Sequence, residues 1–277
     1  MSSQEAQKNP FEKQATSNAY DAVDEVYRKS ALGVTDIVKP DSFGAEASVI
    51  DIGAGTGISS EVILERGAPS LGVVEPAMAM IEHAKARLEK KAYYVQATIE
   101  EMHQAFNKDV DLAYALNCIH LFPDLGQAFA AVAATLKKGG KFVFNITAPS
   151  FKFEEVSEQE KAIYQANVDF YKSLNETANN PILAKTVELL ELSIEGKNDQ
   201  SLTKESLDGF LLAMNMKPLE FHVMDIEASI DYQKNIWRMM AKSFVEDESA
   251  VEKLIDAVKM PEKMSLKQAV FVVENLN

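Results

Sequence analysis

The run Val49-Ile50-Asp51-Ile52-Gly53-Ala54-Gly55-Thr56-Gly57 constrains this chain more than any other segment. Its β-branched start reads as a buried strand. The alternating glycines that follow allow a sharp backbone turn and let a ligand lie against the main chain with no Cβ in the way. Ile58, Val62 and Ile63 then recur at helical spacing, so a helix closed by Gly67 opens directly on the loop. Its unpaired first N–H groups and positive dipole end face whatever the loop holds.

The same alternation continues. Ala47–Ile52, Ser70–Val74, Ala92–Val95, Val110–Ala115 and Lys141–Ile146 read as strands. Helical stripes fall between them, Met78/Ile81/Leu88 and Leu125/Phe129/Val132/Leu136 among them. Strands alternating with helices need crossover connections, which predicts an α/β fold: a mostly parallel, Rossmann-like sheet with helices on both faces. An N-terminal helix is expected from Lys13, with Ala15, Ala19, Ala22, Val23, Val26 and Tyr27 on its buried face, ending before Gly33. After Pro149 the pattern turns helical, with Asn180-Pro181 as cap and first-turn proline of one helix and Thr203 as cap of another. Glu195–Gln200 reads as a linker, Leu219–Asp225 and Gln268–Glu274 as late strands, Tyr232–Phe244 as a helix, and Glu246–Lys263 as an acidic, mobile segment.

Chemistry enters with Glu75, at the carboxyl end of the strand after the glycine loop. A carboxylate there can accept hydrogen bonds from both hydroxyls of a ribose; the alternative is an acid that suits the start of the next helix. Two cofactor classes use such a loop. The dinucleotide fingerprint is G-x-G-x-x-G, whereas this spacing is G-x-G-x-G with Ile58 where the third fingerprint glycine would fall. That departure places a nicotinamide-dependent oxidoreductase second.

Charge narrows the partners. With 28 basic against 42 acidic residues the net charge is −14, a surface that repels nucleic-acid backbones and anionic membranes. No nucleic-acid partner and no membrane span are expected, and Met1–Phe11 has no leader pattern, so a cytoplasmic location is the default. Cys118 is the sole cysteine, and no metal-ligand spacing is present.

Taken together, Val49–Gly57, Gly72–Met80 with its acid Glu75, Asp111–Asn117 and Leu136–Phe142 resemble, in order, the motifs of class I S-adenosylmethionine-dependent methyltransferases. The resemblance implies a seven-stranded sheet whose last two strands form an antiparallel edge. It also implies a division into a disordered tail (1–12), an N-terminal helix with the cofactor-binding core (13–149), a helical substrate lid (150–215) and the completion of the sheet (216–277). Asp51 and Gly53 would serve the methionine end of S-adenosylmethionine, Ala54, Gly55 and Gly57 would shape the loop, and Glu75 beside Pro76 would hold the ribose. Met80 and Ile99 would flank the adenine, with Thr98 standing where an aspartate commonly takes the adenine amine. Asn117 would offer its backbone near the cofactor amino group, and Tyr20 would close over the carboxylate or simply pack on its helix.

The implied activity is methyl transfer to a small, hydrophobic acceptor of natural-product type, oxygen favoured, with S-adenosylhomocysteine as product. A cofactor-binding protein without transfer activity is the remaining alternative. His120, on the loop beyond the fourth strand, is the candidate general base, or else a structural histidine anchoring that loop.

Overall fold

The computed structural model describes residues 23–106, 109–148, 150–242, 244–261 and 264–277. The expected tail at 1–12 and Tyr20 lie outside the described residues. The core alternates β1 (Val49–Ile52), α2 (Ile58–Glu65), β2 (Leu71–Val74), α3 (Met78–Leu88), β3 (Tyr93–Val95), β4 (Val110–Ala115), α4 (Leu125–Thr135) and β5 (Leu136–Thr147), preceded by α1 (Asp24–Ile37). Three helices follow, α5 (Glu158–Ala178), α6 (Pro181–Ile194) and α7 (Lys204–Ala213). The chain closes with β6 (Met216–Ala228), α8 (Ile230–Ala241), α9 (Glu248–Ala257) and β7 (Met264–Asn275).

The seven strands form one sheet in the order β3-β2-β1-β4-β5-β7-β6. The pairs from β3 through β5 are parallel, and β7 runs antiparallel between β5 and β6. The order reverses at β1 and β4, and crevices at such switch points, outside the carboxyl ends of the strands, are where open α/β sheets bind ligands.

Period-2 alternation sends side chains to both faces, and both are buried. Ile50, Ala113, Phe142, Phe144 and Phe271 point to the side covered by α4 and α7, where Phe144 stacks on Phe271 at 5.1 Å between ring centres. Val49, Leu112, Val143, Val270 and Val272 point to the side covered by α1, α2 and α3. Buried on two faces, such strands read as nearly continuous apolar runs, which is why the sequence exposed them.

Two expectations are corrected. First, α1 does not stop before Gly33 but continues to Ile37. A Cβ at Gly33 would stand 2.9 Å from the Met224 sulfur of β6, so this glycine allows close helix–sheet packing and is no terminator. Second, the segment expected to be mobile contains α9, capped by Asp247 and anchored by buried Val251 and Ile255. Within residues 150–215 the helices pack in two places. Leu207 and Leu211 of α7 join the sheet's core, whereas α5 and α6 share a separate apolar core with α8 and α9. In that four-helix cap Trp237 is fully buried, stacks on Phe170 at 4.7 Å and donates its indole N–H to Asn167. Arg238 meets Glu252 through two hydrogen bonds of 2.7 and 2.8 Å, tying α8 to α9.

Candidate active site

A cleft of about 400 Å³ opens at the carboxyl ends of β1, β2 and β4. Gly53, Ala54 and Gly55 form its floor, with Gly53 and Gly55 at φ of +65° and +56°. A Cβ at Gly55 would meet no protein atom within 4 Å, so the space beside it is open for a ligand. Gly57 has another task. It sits at φ +84° ahead of α2, and a Cβ there would stand 3.1 Å from Ala84 of α3, so it sets helix packing and does not line the cleft.

Glu75 is 6% exposed and lines the cleft. Its Oε2 accepts the Gly55 N–H at 3.0 Å and its Oε1 the Ala77 N–H at 3.0 Å. One carboxylate thus braces the glycine loop and the start of α3.

Asp51 lies behind the loop, fully buried. Its Oδ2 accepts the Ser59 and Ser60 hydroxyls at 2.6 Å each, while its Oδ1 has no partner. Burial pushes its pKa up to about 6, opposed by the two serines and assisted by the Glu75 charge. Because the folded value lies above the ordinary 3.8, the native state binds the extra proton between roughly pH 4 and 6. The stability this group contributes is therefore complete below about pH 4 and lost as pH rises through 6, about 3 kcal/mol in total. Comparing the melting of wild type and Asp51→Asn at pH 4.5 and 7 should show wild type losing ground at the higher pH. A gap independent of pH would mean that the carboxyl titrates at its ordinary value.

The other expected residues come together as well. Pro76, Met80, Thr98, Ile99 and Asn117 all line the cleft. The Thr98 hydroxyl donates to Glu101 at 3.3 Å, leaving its oxygen able to accept an amine. Cys118 packs beneath, its thiol directed to the Ile52 carbonyl and its pKa pushed well up by burial. A buried thiol of that kind is packing, not a nucleophile.

The sequence reading missed several contributors. Tyr27 lines the cleft, although its spacing marked it only as part of a helical stripe. Leu121, Phe122 and Pro123 supply an apolar wall. Beneath Asn117 lies a polar cluster that no local pattern reveals. The Asn145 side chain accepts the Asn117 N–H at 2.6 Å and donates to Gln268 at 2.8 Å, Asn117 at 3.0 Å and Ser30 at 3.1 Å. Ser30 also donates to Gln268 at 2.7 Å, so α1, β5, β7 and the loop after β4 meet in one network. Asn117 itself is held at φ +57°, a left-handed conformation that asparagine tolerates.

His120 sits on a short 3-10 turn, Ile119–Leu121. It lines not the cleft but a neighbouring cavity, and Phe122 lines both. Its side chain is exposed, yet the protein around it displaces enough water to lower its pKa. The imidazole is therefore neutral at pH 7 and able to take a proton.

The cleft fits S-adenosylmethionine on its own chemistry. Asp51 Oδ1 and the 98%-buried Thr56 hydroxyl are buried polar atoms without partners around the glycine loop. Glu75 and Glu100 are the charged side chains among the described lining, with no Lys or Arg. Such a lining suits a cationic sulfonium and an ammonium group and opposes a pyrophosphate.

Comparison with known proteins agrees. A family model described as a methyltransferase domain matches residues 50–144. The chain is 31% identical over 104 residues to a ubiquinone biosynthesis O-methyltransferase of Saccharophagus degradans, a match covering 36% of this chain and 44% of that protein, less than half its length. The crystal structure of the YcgJ protein from Bacillus subtilis superposes with a TM-score of 0.55 at 15% identity, covering 89% of this chain and 98% of that one. A SAM-dependent methyltransferase from Thermotoga maritima does so with a TM-score of 0.51 at 16% identity, covering 95% and 97%. At these identities the two structures speak to fold alone. The family match, the glycine loop and the sheet order together make residues 50–144 a methyltransferase domain on a Rossmann-like sheet, with S-adenosylmethionine as its cofactor.

Proposed function

We propose that the chain transfers a methyl group from S-adenosylmethionine to a small, largely apolar acceptor, at oxygen in preference to nitrogen or carbon, in secondary metabolism. The observation that carries the cofactor half is the acidic, phosphate-hostile lining of the cleft around the glycine loop and Glu75. The apolar wall of Leu121, Phe122 and Pro123 supports the acceptor half, as does the O-methyltransferase activity of the Saccharophagus relative.

S-adenosylmethionine supplies a methyl group on a cationic sulfur that departs as a neutral thioether, keeping the electron pair of the broken bond. The residues of this chain bind, orient and exclude water. Glu75 would accept the ribose hydroxyls, Thr98 would take the adenine amine with Met80 and Ile99 beside it, the Asn117 backbone would meet the amino-acid end, and Asp51, buried behind the glycine loop, would support that end through the loop. The cap of α5, α6, α8 and α9 covers the acceptor and excludes water. The neutral imidazole of His120 would take the proton that the acceptor hydroxyl gives up as it receives the methyl group.

His120→Ala should lower turnover of a hydroxyl acceptor by about 10²–10³-fold while leaving S-adenosylmethionine affinity unchanged. Normal turnover in that variant would remove the base assignment. Calorimetric titration separates the cofactor readings: S-adenosylhomocysteine should bind and a reduced nicotinamide dinucleotide should not. The opposite result would revive the oxidoreductase.

A further inference from the structure

The cavity next to the cofactor cleft, about 320 Å³, lies at the low end of the range for small-molecule sites. Ile119, His120 and Ile146 line it from the sheet side, and Leu189 and Leu202 from α6 and the segment leading to α7. It therefore lies between the core and the cap, and Phe122 is the wall it shares with the cleft.

Two features of its lining bear on what it holds. Among the described lining residues there is no Asp, Glu, Lys or Arg, so a charged molecule would find no counter-ion there. Its polar groups are all uncharged types (His120, Ser150, Asn198, Gln200 and Ser201), and some are already engaged. Asn198 donates to the Ser193 hydroxyl at 2.9 Å and accepts the Gln200 backbone N–H at 3.2 Å. The Gln200 amide and the His120 imidazole, both on exposed residues, make no side-chain hydrogen bond to any described residue and are open to a ligand hydroxyl in place of water. The wall itself is fixed: Phe151 and Leu202 form a parallel bridge, with the Leu202 N–H on Ser150 and the Lys152 N–H on Leu202.

We propose that this cavity is the acceptor site and that it selects an uncharged molecule with an apolar body and a hydroxyl, the hydroxyl meeting His120 and Gln200. This rests on the methyl-transfer reading above. It goes further by excluding carboxylates, phosphates and ammonium compounds as acceptors. Leu189 and Gln200 become specificity-determining positions, both supplied by the cap side.

The test uses the full chain saturated with S-adenosylhomocysteine and three fluorescent probes of one skeleton: 2-naphthol, 2-naphthoate and 2-naphthylmethylamine. The neutral naphthol should bind at least ten-fold more tightly than either ion. Leu189→Trp, which fills the cavity from α6, should weaken naphthol more than ten-fold and leave S-adenosylhomocysteine affinity unchanged. Gln200→Glu should raise affinity for the ammonium probe about ten-fold. Equal or tighter binding of the charged probes, or naphthol binding indifferent to Leu189→Trp, would overturn the assignment, as would no naphthol binding at millimolar concentration. Failure of S-adenosylhomocysteine to bind would instead overturn the methyltransferase reading on which it rests.

Discussion

Glu75→Gln is expected to weaken S-adenosylhomocysteine binding by about 100-fold. The carboxylate meets the Gly55 and Ala77 N–H groups at 3.0 Å each and lines the cleft where the two ribose hydroxyls would donate to it. Hydrogen bonds to a charged acceptor are worth about 1.5–3 kcal/mol each. The amide keeps one acceptor oxygen but turns an NH2 group toward a backbone donor and a hydroxyl. A net loss of about 3 kcal/mol corresponds to roughly two decades in Kd. Calorimetry reads this directly, and an unchanged Kd would mean that the ribose is held elsewhere. Glu75→Ala should add a loss of stability, because it strands both N–H groups at about 1–3 kcal/mol apiece. Comparing the two variants separates ligand binding from the bracing of the loop.

Asn145→Leu should be the most destabilising single change at the site. Asn145 is 1% exposed, and its amide serves Asn117, Gln268 and Ser30 together. Leucine leaves the Asn117 N–H and a Gln268 lone pair buried without that partner, for a loss of about 3–5 kcal/mol. At roughly 2–4 °C per kcal/mol for a chain of this size, the melting temperature should fall by about 10 °C. S-adenosylhomocysteine affinity should fall with it, because the Asn117 backbone at φ +57° loses what holds it. A full-strength network elsewhere would show as a melting shift under 2 °C.

The strands, their parallel order and the nucleotide-type cleft were legible because each depends on short-range pattern. The β-branched runs of β1 and β4, the alternating glycines and the acid at the end of β2 lie within segments of ten residues or fewer. Helix caps were equally local. Asn180 accepts the Ile182 N–H at 2.8 Å, and Thr203 forms a capping box with Ser206.

Errors arose where a residue's meaning depends on something distant. Gly33 looks like a helix end until Met224 of β6 is seen against it. The acidic stretch holding α9 looks solvated until Val251 and Ile255 meet the cap core and Glu252 meets Arg238. Amphipathicity in so short a helix is a weak signal, because packing and not propensity supplies most helical stability.

The sequence by itself determined the α/β alternation, the glycine loop and the carboxylate that faces it, since backbone sterics and side-chain periodicity act within one strand or one turn. Tertiary structure alone decided the rest. It brought Ser30, Asn145 and Gln268 together across as many as 238 positions of chain. It built the cap from two separate connections, and it turned His120 into a cavity beside the cofactor cleft. No local rule encodes those contacts: a buried polar group must find a partner, and only the folded sheet determines which ones are within reach.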